Sequence, residues 1–218
     1  MITSSSFVVV GAGLTGAATA WQLARRGYEV TVLERATPAN HEGSSHGSAR
    51  IFRYAYPDAF YAGLVVDARA EWDELEAVTG VELIRRTGCL DFGPAREPRR
   101  LAGVLARLGI EHELMTVEEA AGRWPQITFE TEVLWHPGAG VIDAETSVNA
   151  MLDRARVDGA QVEHGWPVDS VERVGAGYAV HAADGRRVDA DRVVVAAGGW
   201  LTDLLGSLDL PAGFLDAF

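Results

Sequence analysis

The sequence predicts an α/β fold: a parallel sheet wound by helices, with part of a smaller mixed or antiparallel unit inserted into it. Three observations predict it. Phe7–Val10 is a continuous apolar run ending at Gly11, the pattern of a strand buried on both faces. Helix formers from Leu14 to Arg26 come next, then a second strand, Glu29–Glu34. That β-α-β in under thirty residues implies parallel strands and a right-handed crossover. A late apolar strand, Arg192–Ala197, is separated from these by a long stretch of mixed signals. The main unit is therefore expected to be discontinuous, residues 1–82 and 142–218, around a partial insert of residues 83–141.

Each element has its own signal. Gly27 is placed to cap the first helix, and Thr37 to Arg50 is polar and glycine-rich, a loop of functional length. Leu64, Ala68, Trp72 and Leu75 give helical spacing from Asp58 to Thr79, and Gly80 closes that helix. Short strands are expected near Glu82–Arg86 and Cys89–Phe92, a helix near Pro98–Leu108 and a turn at Pro137-Gly138. Thr146 to Val157 is helical again and ends at Gly159-Ala160. Strands recur around Gln161–Glu163, Val168–Val174, Tyr178–His181 and Arg192–Ala197. No internal repeat or low-complexity linker interrupts them.

At 218 residues the chain suffices for one large domain or two small ones, and 48% hydrophobic residues allow a sizeable core. A net charge of −12 argues against nucleic acid or an anionic membrane as partner. All 19 bases are arginine; there is no lysine. Cys89 is the only cysteine, which excludes an intrachain disulfide and a cysteine-rich metal site, and it is expected to be a buried small hydrophobe. The six histidines show no i,i+4 pair or other ligand spacing, so no metal site is expected. Met1 to Ser6 lacks the features of a signal peptide, and no apolar run approaches membrane-spanning length. A soluble cytoplasmic protein is expected.

Gly11-Ala12-Gly13-Leu14-Thr15-Gly16 is G-x-G-x-x-G set between strand and helix. Gly11 permits the tight turn, Gly13 lets the backbone approach a pyrophosphate, and Gly16 allows close helix–strand packing. The helix N-terminus offers N–H groups and a positive dipole end to phosphates. Glu34, 23 residues beyond Gly11, ends the second strand where a carboxylate accepts from ribose hydroxyls. Motif, element order and acid agree on a Rossmann-like dinucleotide-binding unit. Arg35 beside Glu34 either favours a 2′-phosphate or is a solvated strand-end residue, the commoner role.

Gly43-Ser44-Ser45-His46-Gly47 formally matches G-x-S-x-G, the nucleophile elbow of hydrolases. That elbow needs a strand immediately before its serine, whereas Thr37–Glu42 is polar and contains Pro38, so the hydrolase reading fails. The loop is either plain surface or wraps a cofactor's phosphate or ring. Arg50 and Arg53, three apart, share a face if the segment is helical. They would clamp a carboxylate or simply cover acidic surface. Tyr54 and Tyr56 fit a core better than a site. Ala197-Gly198-Gly199-Trp200, at a strand's C-terminal end, lets backbone approach a ligand or is an ordinary turn.

Together these residues resemble the FAD-dependent amine oxidase family of the monomeric sarcosine oxidase and N-methyltryptophan oxidase type. The extended FAD fingerprint continues to Ala20 and Gly27, and Gly43 to Tyr56 resembles the family's flavin-contacting segment. The resemblance implies FAD as cofactor, a small amine or amino-acid substrate, and O2. The reaction would take a secondary amine such as an N-methyl amino acid to an imine, releasing H2O2. It implies that Ser44, Ser45, His46, Arg50 and Ile51 lie along the flavin, with His46 and Arg50 as its catalytic environment. Arg53 would meet the substrate carboxylate, Val168 the adenine, and Ala197 to Trp200 the cofactor again.

Family members are nearly twice as long. The half not matched carries the cysteine that anchors FAD, two lysines of the active site and a final glycine-rich flavin contact. After Leu210-Pro211 the likeness stops. A truncated product is therefore expected, with FAD held non-covalently and activity impaired. It would associate through incomplete sheet edges around Val81–Phe92 and Val133–Ile142. The alternatives are a non-catalytic FAD- or nucleotide-binding remnant and, less well matched, an NAD-dependent dehydrogenase, which leaves Gly43–Tyr56 without a role.

Overall fold

A computed structural model describes residues 3–208, 210, 213 and 214 of the chain. The loss of likeness after Leu210-Pro211 falls mostly on residues 211, 212 and 215–218, which lie outside the described residues. The chain forms two compact units, one from the described residues of Met1–Gly47 and Ala144–Phe218, the other from Ser48–Asp143. It starts with β1 (Ser4–Val10), α1 (Leu14–Ala24) and β2 (Val30–Leu33). The second unit then runs β3 (Arg50–Phe52), α2 (Ala59–Thr79), β4 (Ile84–Arg86), β5 (Cys89–Asp91), α3 (Pro98–Arg107) and β6 (Glu113–Met115). It finishes with α4 (Val117–Arg123), β7 (Val133–His136) and β8 (Gly140–Ile142). The chain returns to the first unit with α5 (Ala144–Val157), β9 (Gln161–Glu163), β10 (Val168–Val174), β11 (Gly177–Ala182), β12 (Arg187–Val195) and α6 (Leu201–Leu204).

The first unit is built on a six-stranded sheet in the order β10-β11-β12-β1-β2-β9. β1 pairs parallel with β12 and β2, and β2 parallel with β9, while β10, β11 and β12 form an antiparallel meander. Val8, Val9, Val32 and Leu33 have almost no exposure, as continuous apolar strands covered on both faces require. One cover is α1, whose Ala17, Ala20 and Ala24 are buried and which packs against α5. Small side chains let those backbones come close. A second core joins Val10 and Leu33 to Trp166, Val171, Val180, Val188 and Leu204.

The second unit begins at Ser48, well before the residue 83 read from the sequence. Two interactions explain the difference. Arg50–Phe52 becomes a strand paired antiparallel with β8, and Glu76 on α2 accepts the Leu83 and Ile84 N–H groups at 2.7 and 2.8 Å. The helix is thereby tied to β4, which pairs with β8 in turn. Asp58 caps α2 through the Phe60 N–H at 2.8 Å, and Gly80 ends it at φ 69°. Arg69, deep in α2, pairs with Asp73 and Glu76 and lies over the Phe52 ring. The ring face explains how its Nε and Nη1 remain buried with no hydrogen-bond partner.

The unit's strands form two three-stranded sheets, β3-β8-β4 and β5-β7-β6. The sequence reading expected unpaired edges around Val133–Ile142. β7 and β8 are instead the central strands of these sheets, paired on both sides, and the edges are β3, β4, β5 and β6. No helix among the described residues is long and apolar enough to cross a membrane.

Two glycines contrast how closely α1 and α2 are packed. A Cβ at Gly16 would lie 1.9 Å from the Gly11 carbonyl oxygen, whereas one at Gly63 on α2 meets nothing within 4 Å. Gly16→Ala is expected to destabilise by about 1–3 kcal/mol. Gly63→Ala is expected to stabilise by up to about 1 kcal/mol. Urea unfolding midpoints of the two variants check both signs.

Candidate functional site

β1 stops at Gly11 because the next step of chain must turn in a space without room for a side chain. Its φ is 98°, and a Cβ there would lie 2.5 Å from the Ala196 carbonyl oxygen. α1 follows with Gly13 as its N-cap, with no side-chain cap and no acid in its first turn. The positive end of the helix is therefore not neutralised from within its own first turn. The Ser45 Oγ accepts the Leu14 N–H at 2.9 Å, and a Cβ at Gly13 would lie 3.1 Å from that same oxygen. The Gly43–Gly47 loop thus rests an oxygen on the helix N-terminus, where an anion's oxygens also bind.

Glu34 follows directly on β2. It is buried, with Oε2 accepting the Ala12 N–H at 2.8 Å and Oε1 the Ala36 N–H at 3.0 Å. Its own backbone is tied at both ends, N–H to the Glu163 carbonyl and carbonyl from the Trp166 N–H. A carboxylate offers about four acceptor sites, so two remain for a sugar diol. Arg35 is exposed, its guanidinium 4.7 Å above the Trp200 ring.

These groups line one cleft of about 550 Å³ within the first unit, inside the roughly 300–1,000 Å³ usual for small-molecule sites. Gly11, Gly13, Leu14 and Thr15 form one wall, and Glu34 and Arg35 another. Ser44 and Ser45 come from the loop, Val168 from β10, and Ala197 to Trp200 from the turn after β12. Ala12 and Gly16 sit behind that lining, the first bonded to Glu34 and the second packed on Gly11. His46 stands edge-on to His41 at 5.4 Å between ring centroids.

Arg50, Ile51 and Arg53 belong to the second unit. Arg50 and Ile51 are exposed on β3, so the helical face proposed for Arg50 and Arg53 does not exist. Arg50 lies on the strand and Arg53 directly follows its last residue. Arg53 is half-buried, 5.3 Å above the Tyr56 ring, and Tyr54 and Tyr56 are themselves half-buried. Sequence reasoning missed Asn40, Trp166 and Asp203, which also line the cleft. Asn40 carried a signal: its side chain folds the loop by bonding the Thr37 carbonyl and the Glu42 N–H.

The histidine spacing that led to the expectation of no metal site considers one element at a time. Across two strands, Cys89, Asp91 and His136 bring ligand atoms within 4.8 Å of one another. Cys89 is half-buried, and burial pushes its thiol up, helped by the Asp91 carboxylate. Burial also acts to raise Asp91. Hydrogen bonds from His136 and Arg96 more than offset it, so that carboxyl lies below its usual range.

A parallel sheet, a glycine turn at a helix N-terminus and a strand-end carboxylate around one cleft define a dinucleotide-binding α/β protein. The chain belongs to the FAD-dependent oxidoreductase family, whose model matches residues 6–214. It is 31% identical to the monomeric sarcosine oxidase of Bacillus sp. (strain B-0618), over 96% of this chain and 55% of that protein. It is 29% identical to the N-methyl-L-tryptophan oxidase of Yersinia pestis, over 92% of this chain and 55% of that protein. The solved structure of NikD, an unusual amino acid oxidase essential for nikkomycin biosynthesis, superposes with TM-score 0.82 at 29% identity. That match covers 94% of this chain and 54% of NikD. The chain therefore spans about half the length of the relatives it matches. FAD is the family's cofactor, and the cleft fits it: the wall has no room for a Cβ at Gly11, and the adjoining helix end has no acid in its first turn.

Glu34 does structural work independent of any ligand. Glu34→Ala leaves the Ala12 and Ala36 N–H groups without their acceptor and is expected to cost about 1–3 kcal/mol in FAD-free protein. Denaturant unfolding without added FAD measures it; an unchanged midpoint would mean that solvent replaces both bonds.

Proposed function

We propose that this chain binds FAD non-covalently in the first unit's cleft, and that the whole enzyme oxidises a secondary amine of the N-methyl amino-acid type with O2. One observation carries the reading: the glycine turn and the acid-free N-terminus of α1 open into the cleft beside Glu34. The first-turn N–H groups of α1 beyond Leu14, whose own N–H is bonded to Ser45, take the pyrophosphate, and Glu34 takes the ribose hydroxyls through its free lone pairs. Ser44, Ser45, Val168 and Ala197 to Trp200 enclose the rest of the nucleotide. Arg35, braced on Trp200, covers the cleft's rim.

Bound FAD would supply hydride acceptance from the carbon next to the amine nitrogen. The protein's part is to hold that carbon in place and exclude alternatives. Arg53 takes the substrate carboxylate, its guanidinium steadied on the Tyr56 ring. His46, Arg50 and Ile51 form the surroundings of the flavin ring. These four roles rest on the family likeness of segment 43–56. The units then correspond to a cofactor domain and a substrate domain, in a cytoplasmic protein without nucleic-acid or membrane partners.

The chain spans about half of each relative, so the 218 residues alone should bind FAD but turn over little or no amine. Titrating flavin-free protein with FAD, by quenching of flavin fluorescence, should show saturable binding that denaturation fully reverses. Gly13→Val, whose side chain meets the Ser45 hydroxyl and the pyrophosphate path, should weaken it by about tenfold or more. Equal affinity in that variant, or preference for NAD, defeats the cofactor assignment. Peroxide release from sarcosine by a protein of the relatives' full length tests the reaction. Flavin binding there without turnover would favour the remnant reading.

A further inference from the structure

We propose that Cys89, Asp91 and His136 form a binding site for a thiophilic divalent cation of the zinc class. The site lies wholly in the second unit and uses none of the cleft's residues. β5 and β7 are antiparallel, and their register sets Cys89 directly opposite His136. Directly opposed residues project to the same face of a sheet, and Asp91, two residues along, shares that face. The backbone thus delivers one sulfur, one carboxylate oxygen and one imidazole nitrogen to one spot.

That donor set is the one zinc takes, at about 2.0–2.3 Å from each atom, which puts tetrahedral ligands about 3.3–3.6 Å apart. The Asp91 Oδ2 and His136 Nε2 are 3.1 Å apart, and all three ligand atoms lie within 4.8 Å of one another. Bringing the Cys89 sulfur into the set needs a movement of about 1 Å, within reach of a half-buried side chain. Arg96 Nε donates to Asp91 Oδ1 at 2.8 Å, which fixes the carboxylate and leaves Oδ2 as its single ligand atom. Such outer bonds orient metal ligands.

The second observation is the state of His136. The side chain has no exposure, and among the described residues its ring has one partner, Asp91 Oδ2 at 3.1 Å from Nε2, while Nδ1 has none. A cation between Oδ2 and Nε2 would replace that single hydrogen bond with two ligand bonds and hold the buried ring by them. Binding would release the thiol proton and move the His136 ring proton from Nε2 to Nδ1; the thiolate and carboxylate would then face the cation, with the Arg96 guanidinium on the carboxylate's other oxygen. The three protein ligands leave the fourth position for water or a small anion. The ion would clip together two strands of three and four residues, β5 and β7.

The competing account is an Arg96–Asp91–His136 network with Cys89 as bystander, and the chain's composition separates the two. Cys89 is the sole cysteine, so any sulfur-to-metal charge-transfer absorption reports this residue alone. Metal-free full-length chain is titrated with Co2+, then with Zn2+. Expected are one cobalt per chain with a thiolate charge-transfer band, its loss on adding zinc, and a melting midpoint that rises with zinc concentration. Cys89→Ser should remove the band and weaken zinc binding by about tenfold or more while its circular dichroism matches the parent. His136→Gln should weaken binding likewise. Cobalt bound without the band, equal zinc affinity in Cys89→Ser, or no stoichiometric binding would each overturn the assignment.

Discussion

A Cβ at Gly16 would stand 1.9 Å from the carbonyl oxygen of Gly11, so α1 meets the end of β1 backbone against backbone. The contact fixes the direction of the helix, and with it where the first-turn N–H groups point. Gly11 in turn leaves no room for a side chain against Ala196, which holds the end of β12 beside the same turn. Ala12 then donates to Glu34 just beyond the end of β2. Three strand ends converge on a few residues of main chain. The cleft is the space they leave, and its geometry depends on what is absent from those positions more than on side chains present.

Charge makes the same point. The chain carries −12, and Glu34, Asp169 and Asp203 line the cleft against one base, Arg35. An anionic dinucleotide would be poorly received by such a surface on charge alone. Two features of the backbone change the balance. Glu34 spends lone pairs on the Ala12 and Ala36 N–H groups, which disperses its charge into the frame. The helix end that faces the phosphates carries no acid to cancel its dipole. Recognition of this kind does not need lysine, and the chain contains none.

What could be read from the sequence was what is local. Val168–Val174 and Gln161–Glu163 are strands where the sequence reading expects them, and Asp58 and Gly80 bound α2 as their chemistry dictates. β12 was legible only in its apolar half; its first half alternates, with Val188 and Ala190 buried, and depends on pairing with β11. α4 has a complete capping box between Thr116 and Glu119, a signal present in the sequence but lost among short elements. β3 carried no such signal. Arg50–Phe52 is a strand because β8 lies beside it, and that pairing joins residues ninety positions apart. The unit boundary went astray for the same reason.

The cleft and the Cys89 cluster differ in what holds them, and that difference explains why one was readable and the other not. The cleft is framed largely by glycines and main-chain groups whose spacing along a few short segments already encodes the shape. The cluster exists only through register. Sliding β5 by one residue along β7 would turn Cys89 and Asp91 to the opposite face from His136, and nothing in the local sequence of either strand would change. Register here is held by pairs on both sides of β7, with Leu90 opposite Trp135 on β5's side and Leu114 opposite Leu134 on β6's. A buried core of Met115, Phe129 and Val133 anchors the same sheet. Apolar packing of the second unit is thus what places sulfur, oxygen and nitrogen together, just as backbone packing of the first unit places the helix end at its cleft.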